Sequence, residues 1–317
     1  MDNLAHTLTG LALGHAGLKR RTPLALTTLA LAANAPDIDI VVLATSTLAV
    51  YVRRGWTHGP PAMLILPLVL TALVVGCDRL VRQRQTSPPP PVRPWQVLLV
   101  AAIGTWSHPL LDYMNSYGIR LLMPLSGRWF YGDALYIVDP WFFLILGVGV
   151  WIAWKARRGA SASQRTARWA LVATALYMGG MYASNRWARA TVADDLARGG
   201  HPGARFMVTP VAVNPFRREV LVDLGGRYEK GFVTFTPSPQ FRLAGYGVDV
   251  HADDPVVPAV RATELGRQYL TWSRFPFFVV ERGAAETVVY VNDARYSGPS
   301  GRDGWSALRI VLPPVAP

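Results

Sequence analysis

Long apolar runs fill the first 190 residues, and short alternating ones fill the rest. The long runs fall at about residues 4–18, 23–52, 62–78, 95–111, 136–154 and 169–187. Several approach the ~20 residues a helix needs to cross a bilayer's hydrocarbon layer. The first is short, and Pro36-Asp37-Ile38-Asp39 interrupts the second. Broken helices are tolerated at membrane depth only where protein or a water-filled cavity covers them. The pattern predicts an α-helical membrane domain over residues 1–189, with about four to six membrane-embedded helices. Beyond Ala190 the period shortens to two. "REVLVDL", "GFVTFTP", "YGVDV", "ETVVYVND" and "LRIVL" read as strands punctuated by Gly, Pro and Asp, and predict a small β-rich extramembrane domain over residues 190–317. "QTSPPPPVRP" (85–94) reads as a stiff connector and "RRGASASQR" (157–165) as a flexible one.

Charge then sets an orientation. The chain of 317 residues carries a formal net charge of +12, but the excess is confined to one half. Residues 1–189 hold 18 Lys and Arg against 7 acids, whereas the remainder is nearly balanced, with 14 against 13. Basic clusters between apolar runs are orientation signals and not a nucleic-acid surface, so no nucleic-acid partner is expected. Linkers 19–21, 79–93 and 155–168 contain twelve basic residues, and linkers 53–61 and 113–135 contain four. The positive-inside rule therefore predicts a multi-pass protein of the bacterial inner membrane, with its N-terminus and the β domain on the periplasmic side. The single cysteine, Cys77, lies in an apolar run and excludes an internal disulfide. The N-terminal stretch places its basic cluster after the apolar run, the reverse of a cleavable signal.

The first 189 residues contain no glutamate and seven aspartates. Five of these, Asp37, Asp39, Asp112, Asp133 and Asp139, gather toward the predicted outer face, with His6, His58 and His108. An aspartate in mid-span costs roughly 2.5–3.5 kcal/mol, so intramembrane acids tend to face a cavity and carry function. Imidazole nitrogen and carboxylate oxygen are ligands for zinc and similar ions. His108 and Asp112, at i and i+4, share a face if the helix continues through Pro109; otherwise Pro109 starts a new helix with His108 as its cap. Asp37 and Asp39 would diverge on a continuous helix, but after Pro36 a loop or helix start lets both converge on one ion. Plainer roles exist as well. Asp139 before Pro140 suits a helix N-cap, Asp133 an ordinary loop acid, and Asp112 an ion pair with Arg120. Arg120 and Arg128 lie where an anionic substrate could be held. His15 falls on the opposite side of the first helix from His6 and is left outside the site. No nucleophile elbow, P-loop or dinucleotide fingerprint is present.

The stretches "LAHTLTGLALG", "APDIDIVVL", "RGWTHG", "SHPLLDYMNSYGIRLLMP" and "DALYIVDPW", in this order, resemble the membrane-bound, YdjM/YbcI-like metal-dependent hydrolases of bacteria. "VAVNPFRREV" and "YLTWSRFPFFVVE" with "DARY" extend the resemblance into the second half. It implies a divalent metal held by His6, Asp37, Asp39, His58, His108 and Asp112. The order of these residues is also similar to zinc-dependent phospholipase C and the P1-type nucleases. Those enzymes carry a further histidine and a second His-x-x-x-Asp/Glu. Here no histidine follows His108 until His201, which leaves one or two ions. The membrane family usually has His-Arg-Gly-x-Thr-His-Ser, whereas this chain has Arg53 and Gly59 at the ends of that motif.

The expectation is an inner-membrane hydrolase of a lipid or lipid-linked phosphoester, using one or two divalent ions, Zn²⁺ first among them. His58, His108, Asp112 and one or both of Asp37/Asp39 would hold the ion, with His6 in a second site. Asp37 or Asp133 would be the general base and Arg120 the oxyanion partner. The rival expectations are a structural metal in a non-enzymatic binding protein, and an ion path.

Overall fold

Small residues set the geometry of the helical half. The structure, a computed structural model, describes residues 1–44, 53–156, 160–298, 300–302 and 306–314. The end of the second apolar run and part of the 157–165 connector lie outside these. Among the described residues the helices are α1 (Asn3–His15), α2 (Ala25–Asn34), α3 (Pro60–Gln83), α4 (Pro94–Tyr113), α5 (Pro140–Lys155) and α6 (Ala160–Arg198). A 3₁₀ segment, Ala35–Ala44, follows α2. Contacts divide the chain into two units, Met1–Asp39 with Arg54–Ser184, and Ile40–Arg53 with Asn185–Pro317.

In the first unit α1 packs on α2 and α5, and α2 on α4. A Cβ at Gly10 would stand 2.7 Å from the Leu29 carbonyl oxygen, and one at Gly104 would stand 2.7 Å from the Ala32 methyl. These two glycines let α1 and α4 each approach α2 almost backbone to backbone. Asp2 caps α1 by accepting from the Leu4 and Ala5 N–H groups. Ala5, Ala12, Leu111, Met114, Leu135, Phe142 and Leu146 form the core beside the site.

The expectation of four to six membrane-embedded helices is corrected here. Among the described residues one helix, α3, is both long and apolar enough to cross a membrane. Apolar residues in the other runs serve different ends. α1 and α2 have 13 and 10 residues and are rich in Ala and Gly that pack helix on helix. α4 has 20 residues, but its apolar content is diluted by polar ones, and Thr105, His108 and Asp112 turn inward with Val97, Val100 and Ala101. α5 is strongly apolar, but its 16 residues rise about 24 Å, short of the ~30 Å hydrocarbon thickness. α6 is long, but Ser, Asn, Gly and Arg break its apolar run. With one candidate span, the count that placed residues 190–317 on the periplasmic side no longer holds.

The second unit is β-rich. Strands β1 (Phe206–Pro210), β2 (Arg217–Asp223), β3 (Arg227–Thr234) and β4 (Gln240–Asp249) form an antiparallel sheet in sequence order. β5 (Pro276–Arg282), β6 (Thr287–Asp293) and β7 (Leu308–Leu312) form a second sheet. Two short helices, α7 (Val257–Ala262) and α8 (Glu264–Trp272), lie between the sheets in sequence. The two-residue period assigns alternate side chains to opposite faces. Val208, Val220 and Val222 pack with Ala188, Val192 and Leu196 of α6. Met207 and Leu221 pack the other way, with Phe275 and Phe277.

Asp293 anchors this unit. Its carboxylate is fully buried and accepts from the Ser273 hydroxyl at 2.6 Å, the Arg274 N–H at 2.8 Å and the Arg295 guanidinium at 2.9 Å. Burial alone would push the carboxyl up, but Arg295 and these hydrogen bonds outweigh it and hold Asp293 below its ordinary value of 3.8. A depressed folded-state pKa stabilises the fold above the unfolded value, and that contribution fades as pH falls through the folded one. Asp293→Asn is therefore expected to lower thermal stability at pH 7, with the gap from wild type narrowing below about pH 3.8. Calorimetry of the full chain across that range checks both signs.

Candidate metal centre

Continuity of α4 through Pro109 builds half of the site. The proline removes one helical hydrogen bond without ending the helix, so His108 and Asp112 stay one turn apart on its buried face. His108 Nε2 lies 3.3 Å from Asp112 Oδ2. The other half comes from the 3₁₀ segment, which carries Asp37 and Asp39, and from the turn before α3, which carries His58. His58 Nε2 is 3.1 Å from His108 Nε2 and 3.4 Å from Asp112 Oδ2. Asp37 Oδ1 stands 3.9 Å from His58 Nε2 and 3.8 Å from His108 Nε2. Asp37, His58, His108 and Asp112 are all buried, and one ligand atom from each falls within 4.8 Å of all the others. This cluster can hold a metal ion.

Hydrogen bonds on the outer side of each imidazole fix what faces inward. His108 Nδ1 lies 2.6 Å from the Ala33 carbonyl oxygen, which can only accept, so Nδ1 carries the proton. The Thr57 hydroxyl donates to Asp39 Oδ2 at 3.1 Å, so it accepts from His58 Nδ1 at 2.9 Å. In the neutral rings both Nε2 atoms are then bare lone pairs, facing each other and the Asp112 oxygen. Burial pushes the His58 ring down, so it is neutral near pH 7. Burial would raise Asp112, but Arg54, the Met1 amine and His108 outweigh it and hold its carboxyl well below the usual range. Two imidazole nitrogens and a carboxylate oxygen gathered at this spacing are the donor set of a cation site.

The expected residues fall into three groups. His58, His108, Asp112 and Asp37 converge. Asp39 faces the other side of His58, where it accepts from Thr57 and from the Arg54 N–H at 2.7 Å; the two aspartates thus serve opposite nitrogens of one ring. His6 is buried beside the cluster, with its ring stacked on His108 at 3.7 Å and its Nε2 3.4 Å from Asp112 Oδ1. Burial and the neighbouring His108 push the His6 ring down to about 3. Asp133 is buried with φ of 51° and lies outside the four-residue cluster. Asp139 caps α5, accepting from the Trp141 and Phe142 N–H groups and the Tyr177 hydroxyl. The Arg120 guanidinium lies over the Trp129 ring at 5.1 Å and against Gly55, three residues before His58.

Two residues inside a recognised motif were overlooked. Arg54 looked like an orientation charge, yet it is buried, with Nε 3.0 Å from Asp112 Oδ2 and Nη1 donating to Asn115 Oδ1 at 3.1 Å. Thr57, to which the sequence reading gives no role, orients His58. Gly59 also has a local reason, because a Cβ there would stand 2.0 Å from the Met123 carbonyl oxygen, leaving no room for serine. Thr57→Val keeps the shape of residue 57 and removes its hydroxyl. It is expected to weaken metal affinity by roughly 10–100-fold without abolishing binding, as a competitive chelator titration would measure.

The family model described as YdjM inner membrane protein matches residues 1–188. The chain belongs to this family. The match spans the helical half and contains every residue of the cluster. No curated protein and no solved structure matches the chain.

Proposed function

We propose that this inner-membrane family member is a metal-dependent hydrolase acting on a phosphoester of a lipid or lipid-linked substrate. The observation that carries the reading is the pair of histidine Nε2 atoms 3.1 Å apart, set against a carboxylate oxygen among fully buried side chains. Two nitrogens and two carboxylate oxygens suit Zn²⁺. When bound, such an ion supplies Lewis acidity and makes coordinated water more acidic. The chain's own residues do the rest. His58, His108 and Asp112 hold the ion, and Ala33 and Thr57 keep both rings in the binding tautomer. Asp37, the longest approach of the four, is assigned as ligand and proton acceptor. Arg120, over Gly55, is assigned to the substrate's anionic oxygens. The surroundings support lipid as the substrate class. Ile38, between the two aspartates, and Trp56, two residues before His58, are exposed large apolar side chains. α3, the helix able to cross a membrane, begins at Pro60.

A second reading has its own support. Four protein donors, none more than 3% exposed, make a closed set, as in a structural site. Cobalt substitution separates the two, because an open centre changes its visible spectrum when phosphate is added and a closed one does not. For the hydrolase reading, metal-replete protein in detergent is assayed on phosphatidic acid, phosphatidylglycerol and bis(p-nitrophenyl) phosphate. Turnover that chelation and Asp37→Asn both remove is expected. Metal-replete protein that cleaves none of these and ignores phosphate leaves the structural reading.

A further inference from the structure

A second polar feature of the first unit lies at the far end of α1 from His6. A cavity of about 700 Å³ opens there, lined by Leu13, Ile103, Arg20, Arg21, Gln164 and Arg168 among others. Three guanidiniums and an amide share it, and among the described residues no carboxylate lines it. The segments that build it are acid-free over long stretches, with no Asp or Glu in residues 3–36, 79–111 or 140–193.

The fold gathers these groups. Gly17, with φ of 147°, turns the chain after α1, and a Cβ there would stand 2.8 Å from Gln164 Nε2. The missing side chain lets Gln164 lie across the turn. Arg168 Nε donates to the Ala16 carbonyl at 3.1 Å. Behind the turn, Lys19 Nζ donates to Ser163 Oγ at 3.0 Å and reaches His15 Nδ1 at 3.2 Å, which ties the end of α1 to the start of α6. Like charges held together without an acid repel one another, and an anion offsets that cost.

We propose that this cavity binds a phosphate-bearing anion, either the headgroup of an anionic membrane lipid or free phosphate. Guanidinium forks match phosphate oxygens in pairs, and Gln164 adds a neutral donor. Leu13 and Ile103 offer an apolar wall to the first carbons of a lipid. None of the lining residues belongs to the metal cluster, so the site stands or falls apart from the hydrolase reading.

The test is calorimetric titration of the detergent-purified full chain with dihexanoyl-phosphatidic acid and, separately, inorganic phosphate. Wild type is expected to bind the lipid, and the double variant Arg20→Gln/Arg168→Gln to bind it about tenfold or more weakly. Arg165→Gln, exposed like Arg20 and Arg168 but outside the cavity, is expected to bind like wild type, and metal content stays unchanged in all three. Ile103→Trp, which narrows the cavity and keeps every charge, checks the lipid arm by weakening lipid binding more than phosphate binding. Lipid binding that phosphate does not match identifies a headgroup site; equal binding of both identifies a free-phosphate site. Absence of binding to wild type overturns the proposal, as does an equal loss in Arg165→Gln.

Discussion

His108→Ala is expected to leave the purified protein without stoichiometric metal, whereas His6→Ala retains it. His108 contributes one of two Nε2 donors, and its other nitrogen is locked onto the Ala33 carbonyl at 2.6 Å. Removing it deletes a ligand from a set of four and opens a buried void beside Asp112. Loss of one ligand exceeds the roughly 10–100-fold cost of an outer-shell change, so retention through purification fails. His6 stacks on the same ring but supplies no atom to the four-donor cluster. Inductively coupled plasma mass spectrometry of both variants beside wild type decides. One equivalent in wild type, kept by His6→Ala and lost by His108→Ala, means a single four-donor ion. Two equivalents in wild type, with one lost in His6→Ala, would place His6 in a second site. Equal metal in wild type and His108→Ala would remove the cluster from consideration.

Sequence made part of this site legible for a physical reason. His108 and Asp112 sit at helical spacing, and their side chains can meet only on one face, so the pair was readable once α4 was a helix. His58 was readable by scarcity, in a half with seven acids and four histidines, whereas His6, picked out by the same scarcity, lies beside the cluster and supplies no atom to it. The roles of Asp37 and Asp39 were not. Tight 3₁₀ turns aim them at opposite nitrogens of His58, a distinction that spacing in the chain does not encode. Asp139 looked like a site acid and a cap equally, and the cap geometry decides for the latter. Arg54 was hidden because an arginine beside another arginine reads as a solvated orientation signal.

The strands of the second unit were visible from their period, and β2, β3, β4, β6 and β7 all fall on expected segments. The span count failed because hydropathy does not distinguish the uses of apolar residues. Ala and Gly in α1, α2 and α4 count toward a span, yet here they bring helices together. Small size at the contact, and not dislike of water, is what positions His6 against His108.

Arg54→Met is expected to destabilise the metal-free protein strongly and the metal-loaded protein less. The guanidinium is buried and bonded to the Asn115 side chain and the Met1 and Gly118 carbonyls, and its Nε is 3.0 Å from Asp112 Oδ2. Removing one member of a buried ion pair costs roughly 3–5 kcal/mol, and the Met1 amine, which also contacts Asp112, keeps the loss toward the lower end. At about 2–4 °C per kcal/mol for a chain of this size or somewhat smaller, the melting temperature falls by roughly 10 °C. A divalent ion bound by His58, His108, Asp37 and Asp112 would return positive charge beside the Asp112 carboxylate. Metal should therefore raise the melting temperature of Arg54→Met more than that of wild type. By linkage, the variant that gains more from the ion also binds it more tightly. Arg54→Lys keeps a charge near Asp112 while losing part of the fork, and its metal-dependent shift should lie between the two. Thermal scans with and without saturating Zn²⁺ measure all three. Equal shifts in wild type and Arg54→Met would mean that the ion and the guanidinium do not share Asp112.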